Sequence, residues 1–166
     1  MRAADVMRAS FATVRPSTPL VDVARLLLET NQRGLPVLDD QERLVGIVTE
    51  GDLLHRSELG VNPPCNWLDV FLGIEEGGRV RERMQALRVS AIMTPNPLCV
   101  DEDATINDVV ANMDMREISQ LPVVRADRVV GMISRSELVA ALERCLSRNQ
   151  SSPEVEPRSP RGRTLR

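Results

Sequence analysis

Short apolar runs alternate with polar breaks along this chain, and the same order of runs comes twice. Gly46-Ile47-Val48-Thr49-Glu50-Gly51-Asp52-Leu53-Leu54 reads as a buried strand running straight into a helix, and Gly131-Met132-Ile133-Ser134-Arg135-Ser136-Glu137-Leu138-Val139 repeats it. Upstream, Leu35-Pro36-Val37-Leu38 and Leu44-Val45-Gly46-Ile47-Val48 are rich in β-branched residues and are parted by a polar loop, which predicts a hairpin. Pro36 is expected at the first or an edge position of its strand, because it cannot donate to a ladder. Before the hairpin, Leu20, Val23, Ala24 and Leu27 recur at helical spacing. Ser17-Thr18-Pro19 supplies a cap and a first-turn proline for that helix, Asp22 adds negative charge at its positive end, and Thr30-Asn31 should end it. In the second copy Ile106, Val109, Val110 and Met113 give the matching face, with Asp103 as the cap and Asp108 near the dipole. Ala3 to Arg8 predicts a short helical lead-in, and Ala12-Thr13-Val14 a short strand.

The two copies align closely. A shift of 86 residues (93 minus 7) places Met7 on Met93, Val14 on Val100, Asp22 on Asp108 and Leu35-Pro36-Val37 on Leu121-Pro122-Val123. The shift becomes 85 (131 minus 46) from the second strand onward, where Gly46 falls on Gly131 and Leu53 on Leu138. The missing residue lies where Asp39-Asp40-Gln41-Glu42-Arg43 faces the shorter Arg125-Ala126-Asp127-Arg128, as surface hairpin loops allow. A tandem duplication follows. Its first repeat spans residues 1–60 and its second 89–148, each too small to bury a core well alone. The helix from Glu50 is expected to stop at Gly60; its counterpart is longer, with Leu138, Leu142, Cys145 and Leu146 on one face and an end near Arg148.

Residues 61–88 form an insert between the copies that carries the single tryptophan. Trp67, Val70, Phe71 and Ile74 recur there at helical spacing, which reads as core or dimer packing, with docking on a membrane surface or another protein as the alternative. Residues 149–166 are polar and proline-rich, the composition of a disordered tail.

Aromatic residues make up 2% of the chain, so the core must be built from Val, Leu, Ile and Met. The net charge of −3 argues against nucleic-acid binding, although every basic residue is an arginine and the tail holds several. No apolar run is long enough to span a bilayer and the N-terminus lacks an apolar leader core, so a cytoplasmic protein is expected. Cys65, Cys99 and Cys145 are far apart and His55 has no ligand set around it, which argues against a metal site or a disulfide scaffold. Cys99 reads as a small buried thiol and His55 as a surface residue. No histidine accompanies a nucleophile and there is no lysine-type phosphate loop, so an enzyme is not expected.

The candidate chemistry lies at the two strand-to-helix junctions. Thr49 is followed three residues later by Asp52, and Ser134 by Glu137, at a helix start where unpaired backbone N–H groups can hold a phosphate. The same spacing is also a capping box, which explains both pairs with no ligand at all.

The repeated motifs carry a family resemblance. Asp5-Val6-Met7 and Ala91-Ile92-Met93-Thr94, Gly34-Leu35-Pro36-Val37 and Gln120-Leu121-Pro122-Val123, and the two strand-to-helix junctions together resemble a tandem pair of CBS domains, a Bateman module. The resemblance covers about residues 1–148 apart from the insert, and the insert is similar to that of stand-alone bacterial proteins of this type. It implies an α/β (α+β) fold of two β-α-β-β-α units related by a pseudo-twofold axis, with two clefts between them. It further implies a regulatory sensor with no obligatory cofactor that binds AMP, ADP, ATP or a related adenosyl ligand, forms a homodimer and signals to a regulated partner.

By the same resemblance Thr49 and Asp52 would serve one cleft, and Ser134 and Glu137 the other: the hydroxyl faces phosphate or base, and the carboxylate accepts from the ribose hydroxyls. Arg33, three residues before Pro36, would reach phosphate, whereas the second copy has Ser119 there. Glu137 is one methylene longer than the usual Asp, so the Asp52 cleft is expected to be the tighter, with Arg135 as a compensating charge in the other. Val14, Leu35, Pro36 and Ile47 in the first copy, and Val100, Leu121 and Met132 in the second, are candidates to sandwich a purine and are read equally well as plain core. The alternative function is a ligand-free interaction scaffold that works through the Trp67 segment.

Overall fold

The computed structural model describes residues 1–55 and 85–150. In chain order the elements are α1 (Ala3–Val6), α2 (Leu20–Thr30), β1 (Gly34–Leu38), β2 (Leu44–Thr49), α3 (Glu50–His55), α4 (Val89–Ile92), β3 (Thr94–Pro95), β4 (Val100–Asp101), α5 (Ile106–Met115), β5 (Gln120–Arg125), β6 (Arg128–Ser134) and α6 (Arg135–Gln150). They make a mixed α+β molecule with two three-stranded sheets, β1-β2-β3 and β4-β5-β6. Both hairpins form as their apolar runs predict, with Leu35 opposite Val48 and Leu121 opposite Ile133.

Pro36 takes the third position of β1 rather than the first. Its carbonyl accepts from the Val14 amide at 3.0 Å, so the missing N–H falls on that outer side and no bond to β2 is lost. Of the short strand expected at Ala12-Thr13-Val14, Val14 alone bridges β1.

The packing units are not the sequence repeats. Ala3, at the start of the first repeat, is buried in the core that holds Val100, Val109, Leu121 and Ile133. Val89 and Ile92, at the start of the second, are buried with Val14, Leu20, Leu35 and Val48. The backbone shows the same exchange: Ala3 donates to the Ala104 carbonyl (2.8 Å) and Ala4 to Glu102 (2.9 Å), while Val89 donates to Thr18 (3.0 Å) and Ser90 to Pro16 (2.9 Å). Adding 86 to one member of each pair and subtracting it from the other converts the first two bonds into the second two, which is the signature of a pseudo-twofold axis.

The exchange explains the paired Met and Gly of the two copies. A β-carbon at Gly46 would lie 2.6 Å from the sulfur of Met93, and one at Gly131 would overlap the sulfur of Met7. Each lead-in methionine therefore lies across the hairpin glycine of the opposite repeat.

Helix ends depart from the sequence reading in three places. Pro19, not Ser17 or Thr18, stands at the α2 N-cap, and the Thr18 hydroxyl instead accepts from the Arg15 amide at 3.0 Å. The α5 cap is Thr105, which forms a capping box with Asp108; Asp103 is drawn away to Arg2 at 2.6 Å. Helix α6 runs on to Gln150, and its Leu142 and Leu146 are 59% and 57% exposed while Ala141 faces inward. Val110 is likewise exposed, so the buried stripe of α5 is narrower than its pattern suggests.

Cys99 is half-buried, and that burial pushes its thiol pKa up. Cys145 is exposed. The His55 side chain, Cys65, the Trp67 face, the helix end at Gly60 and the tail lie outside the described residues. Among the described residues no helix is long and apolar enough to cross a membrane, and no group of three His, Cys, Asp or Glu is placed to hold a metal.

Candidate functional site

Among the described residues three cavities draw walls from both repeats, and two of them hold the carboxylates of the strand-to-helix junctions. The larger, about 660 Å³, is walled by Arg33, Ile47, Thr49, Glu50 and Asp52 of the first repeat. Its opposite wall is Thr94, residues 96–98 and residues 116–120 of the second. The smaller, about 350 Å³, is walled by Met132, Ser134, Ser136 and Glu137 of the second repeat and by Arg8 and residues 31–34 of the first, with Glu50 and Gln120. The pseudo-twofold relates the two: Thr94 corresponds to Arg8 and Ser119 to Arg33 by the 86-residue shift, so each junction meets the opposite copy across its cleft.

The local chemistry of each junction follows from its helix start. At the first, β2 ends on Thr49, whose hydroxyl accepts from the Asp52 amide (3.3 Å). The Asp52 Oδ2 in return accepts from the Thr49 amide (2.8 Å) and hydroxyl (2.9 Å). This reciprocal pairing satisfies helix-start donors and holds the carboxylate fixed on the cavity wall. Capping and ligand contact thus use the same side-chain placement and do not exclude each other.

At the second junction Glu137 Oε2 accepts from the Ser134 amide (2.8 Å) and from the Ser134 hydroxyl. The other oxygen, Oε1, lies 3.5 Å from Arg8 Nε, and Arg8 also donates to the Thr30 carbonyl (3.2 Å). With the Arg8 and Glu137 side chains 35% and 16% exposed, this partly exposed ion pair fills part of the smaller cleft with the protein's own charge.

The structure brings Thr49, Asp52, Arg33 and Ile47 together at the larger cleft, and Ser134, Glu137 and Met132 at the smaller, with Arg33 lining both. Val14 and Leu35 sit in one core and Val100 and Leu121 in the other, and Pro36 is buried in β1; none of the five lines either cavity. Arg135 lines a separate outer groove of about 590 Å³ with Arg33, Ser119 and Ser134, not the Glu137 cleft.

Residues that the sequence reading did not single out complete both walls, chiefly Asn96, Arg116 and Gln120 at the larger cleft and Arg8 at the smaller. The Gln120 side chain lies against Gly34, its own counterpart, where any β-carbon would collide with it. It therefore stands at the pseudo-axis and lines both clefts. The signal for these residues was the 86-residue shift itself, applied across the axis rather than within one repeat.

Residues 3–58 and 89–144 each match the CBS domain. The chain belongs to the CBS-domain family. Among relatives of this CBS pair, the chloroplastic CBS domain-containing protein CBSX2 of Arabidopsis thaliana is 31% identical over 142 residues; the match covers 81% of this chain and 59% of that protein, so the chain spans about three fifths of that relative's length. The uncharacterized protein MJ1426 of Methanocaldococcus jannaschii is 29% identical over 150 residues, covering 83% and 89% of the two chains. A crystal structure of CBSX2 in complex with AMP superposes with a TM-score of 0.67 at 29% identity, over 86% of this chain and 97% of that one.

Proposed function

We propose that this CBS pair is a regulatory module that binds an adenine nucleotide or related adenosyl ligand in the Asp52 cleft and signals its occupancy to a partner protein. The observation that carries the reading is the larger cavity itself. It places a fixed hydroxyl and carboxylate, Thr49 and Asp52, between aliphatic side chains and two arginines, Arg33 and Arg116. Ile47, Leu98 and Ile118 offer apolar surface for a purine, the Asp52 carboxylate accepts from ribose hydroxyls, and the arginines neutralise phosphate. The AMP complex of CBSX2 supports the choice of an adenine ligand.

Because both repeats wall the cleft, a ligand there favours the lobe arrangement it fits best, and a partner can read that shift. The ligand leaves unchanged, so the module is not an enzyme. We further place it in the cytoplasm as a homodimer. The test is a melting screen of the full chain with AMP, ADP, ATP and S-adenosylmethionine. A ligand at a hundred times its dissociation constant adds about 2.7 kcal/mol, and Asp52→Ala removes that gain. No shift with any of the four ligands overturns the reading.

A second reading, a ligand-free scaffold, is favoured by one observation: Val139, Leu142 and Leu146 form an exposed apolar stripe on α6. It predicts association that is lost in Leu142→Glu, with no nucleotide effect on melting.

A further inference from the structure

Each of the two clefts is lined by two arginines, and one of these, Arg33, is common to both. Its carbonyl accepts from the Glu50 amide at 3.0 Å, but its guanidinium makes no hydrogen bond or ion pair with the described residues. At the smaller cleft the other lining cation is Arg8, which is held by Glu137 and the Thr30 carbonyl. The residue that corresponds to Arg33 in the second repeat is Ser119, so the duplication left one arginine where symmetry would give two. Gln120 and Glu50 also line both cavities, so the two spaces abut at the pseudo-axis.

Resting on the nucleotide reading above, we propose that the clefts compete for Arg33, so that a phosphate-bearing ligand in the Asp52 cleft weakens binding of a second one in the Glu137 cleft. A guanidinium drawn to one phosphate is withdrawn from the other. The second phosphate then enters beside Glu50 and Glu137 with no unengaged cation. An uncharged nucleoside makes no demand on Arg33 and escapes the coupling. The module is thereby a one-ligand sensor built on a two-cleft fold.

Calorimetric titration of the full chain with AMP, and in parallel with adenosine, reads the coupling directly. In the native chain the second AMP step is weak. Asp52→Ala disables the first cleft and releases Arg33, so the remaining AMP step becomes about tenfold tighter than the native second step, in the range of ordinary site-to-site coupling. Adding Arg33→Ala to Asp52→Ala abolishes that gain, and adenosine shows none in either background. In Ser119→Arg, which restores the second cation, the two AMP steps move together. If the second-step affinity is the same in the native chain and in Asp52→Ala, the clefts are independent and the inference fails while the nucleotide reading stands. If neither AMP nor adenosine binds, the inference fails, and the nucleotide reading falls with it only if ADP, ATP and S-adenosylmethionine also give no melting shift.

Discussion

The two clefts of this molecule are made by one sequence pattern used twice, yet they differ in readiness. The Asp52 cleft is about 660 Å³, with its carboxylate drawn back against Thr49 and two arginines on its walls. The Glu137 cleft is about 350 Å³, and its longer carboxylate reaches an arginine supplied by the first repeat's lead-in. The fold and the capping geometry are common to both. One methylene and the Thr94-to-Arg8 difference separate the larger cleft from one partly filled by the Arg8–Glu137 pair. A duplicated scaffold can thus diversify its sites while keeping one fold.

The largest effect expected from breaking this comparison comes from its shared frame. Ile92 is encoded with the second repeat but packs, 1% exposed, in the core behind the Asp52 cleft. Ile92→Ala should lower stability by about 2–5 kcal/mol, as cavity formation in a core does. In urea unfolding it should shift the midpoint of a single transition for both lobes, because each lobe is completed by the other repeat. Separate transitions for the two lobes would contradict the exchanged packing.

A smaller effect sharpens the contrast between the clefts. Arg8→Ala removes the cation that engages Glu137 and enlarges the smaller cleft. The pair is partly exposed, so the stability lost should be under about 1 kcal/mol after solvent screening. Adenosine affinity at that cleft should rise, because Glu137 is released for ribose hydroxyls. Titration of Arg8→Ala against the native chain measures it, and an unchanged second step would show that the ion pair does not occlude the site.

The smallest effect expected is with pH. The Arg43 amide bonding to Asp39 lowers that carboxyl's pKa, and the Arg125 side chain does the same for Glu102. A lowered folded-state pKa contributes stability that is present at neutral pH and is lost as pH falls through the carboxylate range, below about 4. Asp39 lies by the first hairpin and Glu102 by the second, both exposed to screening, so acid should weaken the two lobes together and modestly. Melting curves from pH 7 to pH 3 with Asp39→Asn and Glu102→Gln check the sign: each variant should be less sensitive to acid than the native chain.

Much of this architecture was legible in the sequence. Continuous apolar, β-branched-rich runs at Leu35 to Val48 and Leu121 to Ile133 marked both hairpins, because successive positions of their strands are buried. Helix caps were less legible. Ser17 and Asp103 have capping chemistry, but the backbone turns into the helix at Pro19 and Thr105, and only the geometry of the turn decides which residue is in place.

The candidate site was half legible for a similar reason. Thr49, Asp52, Ser134 and Glu137 announce themselves by spacing within one repeat. Arg8 and Asn96 are brought to the clefts by backbone bonds to the opposite repeat, and Arg116 by the end of α5 facing it, long-range placements that no local pattern encodes. The apolar candidates Val14, Leu35, Val100 and Leu121 have the right chemistry for a purine slot, but the cores behind the clefts hold them instead.

The most direct test of the account is a crystal structure of the chain grown with AMP at a concentration that fills one site. The account predicts density for one nucleotide in the larger cleft, with the ribose hydroxyls on the Asp52 carboxylate and the phosphate toward Arg33. Density beside Glu137 with the Asp52 cleft vacant, or a nucleotide bound away from both junctions, would contradict it.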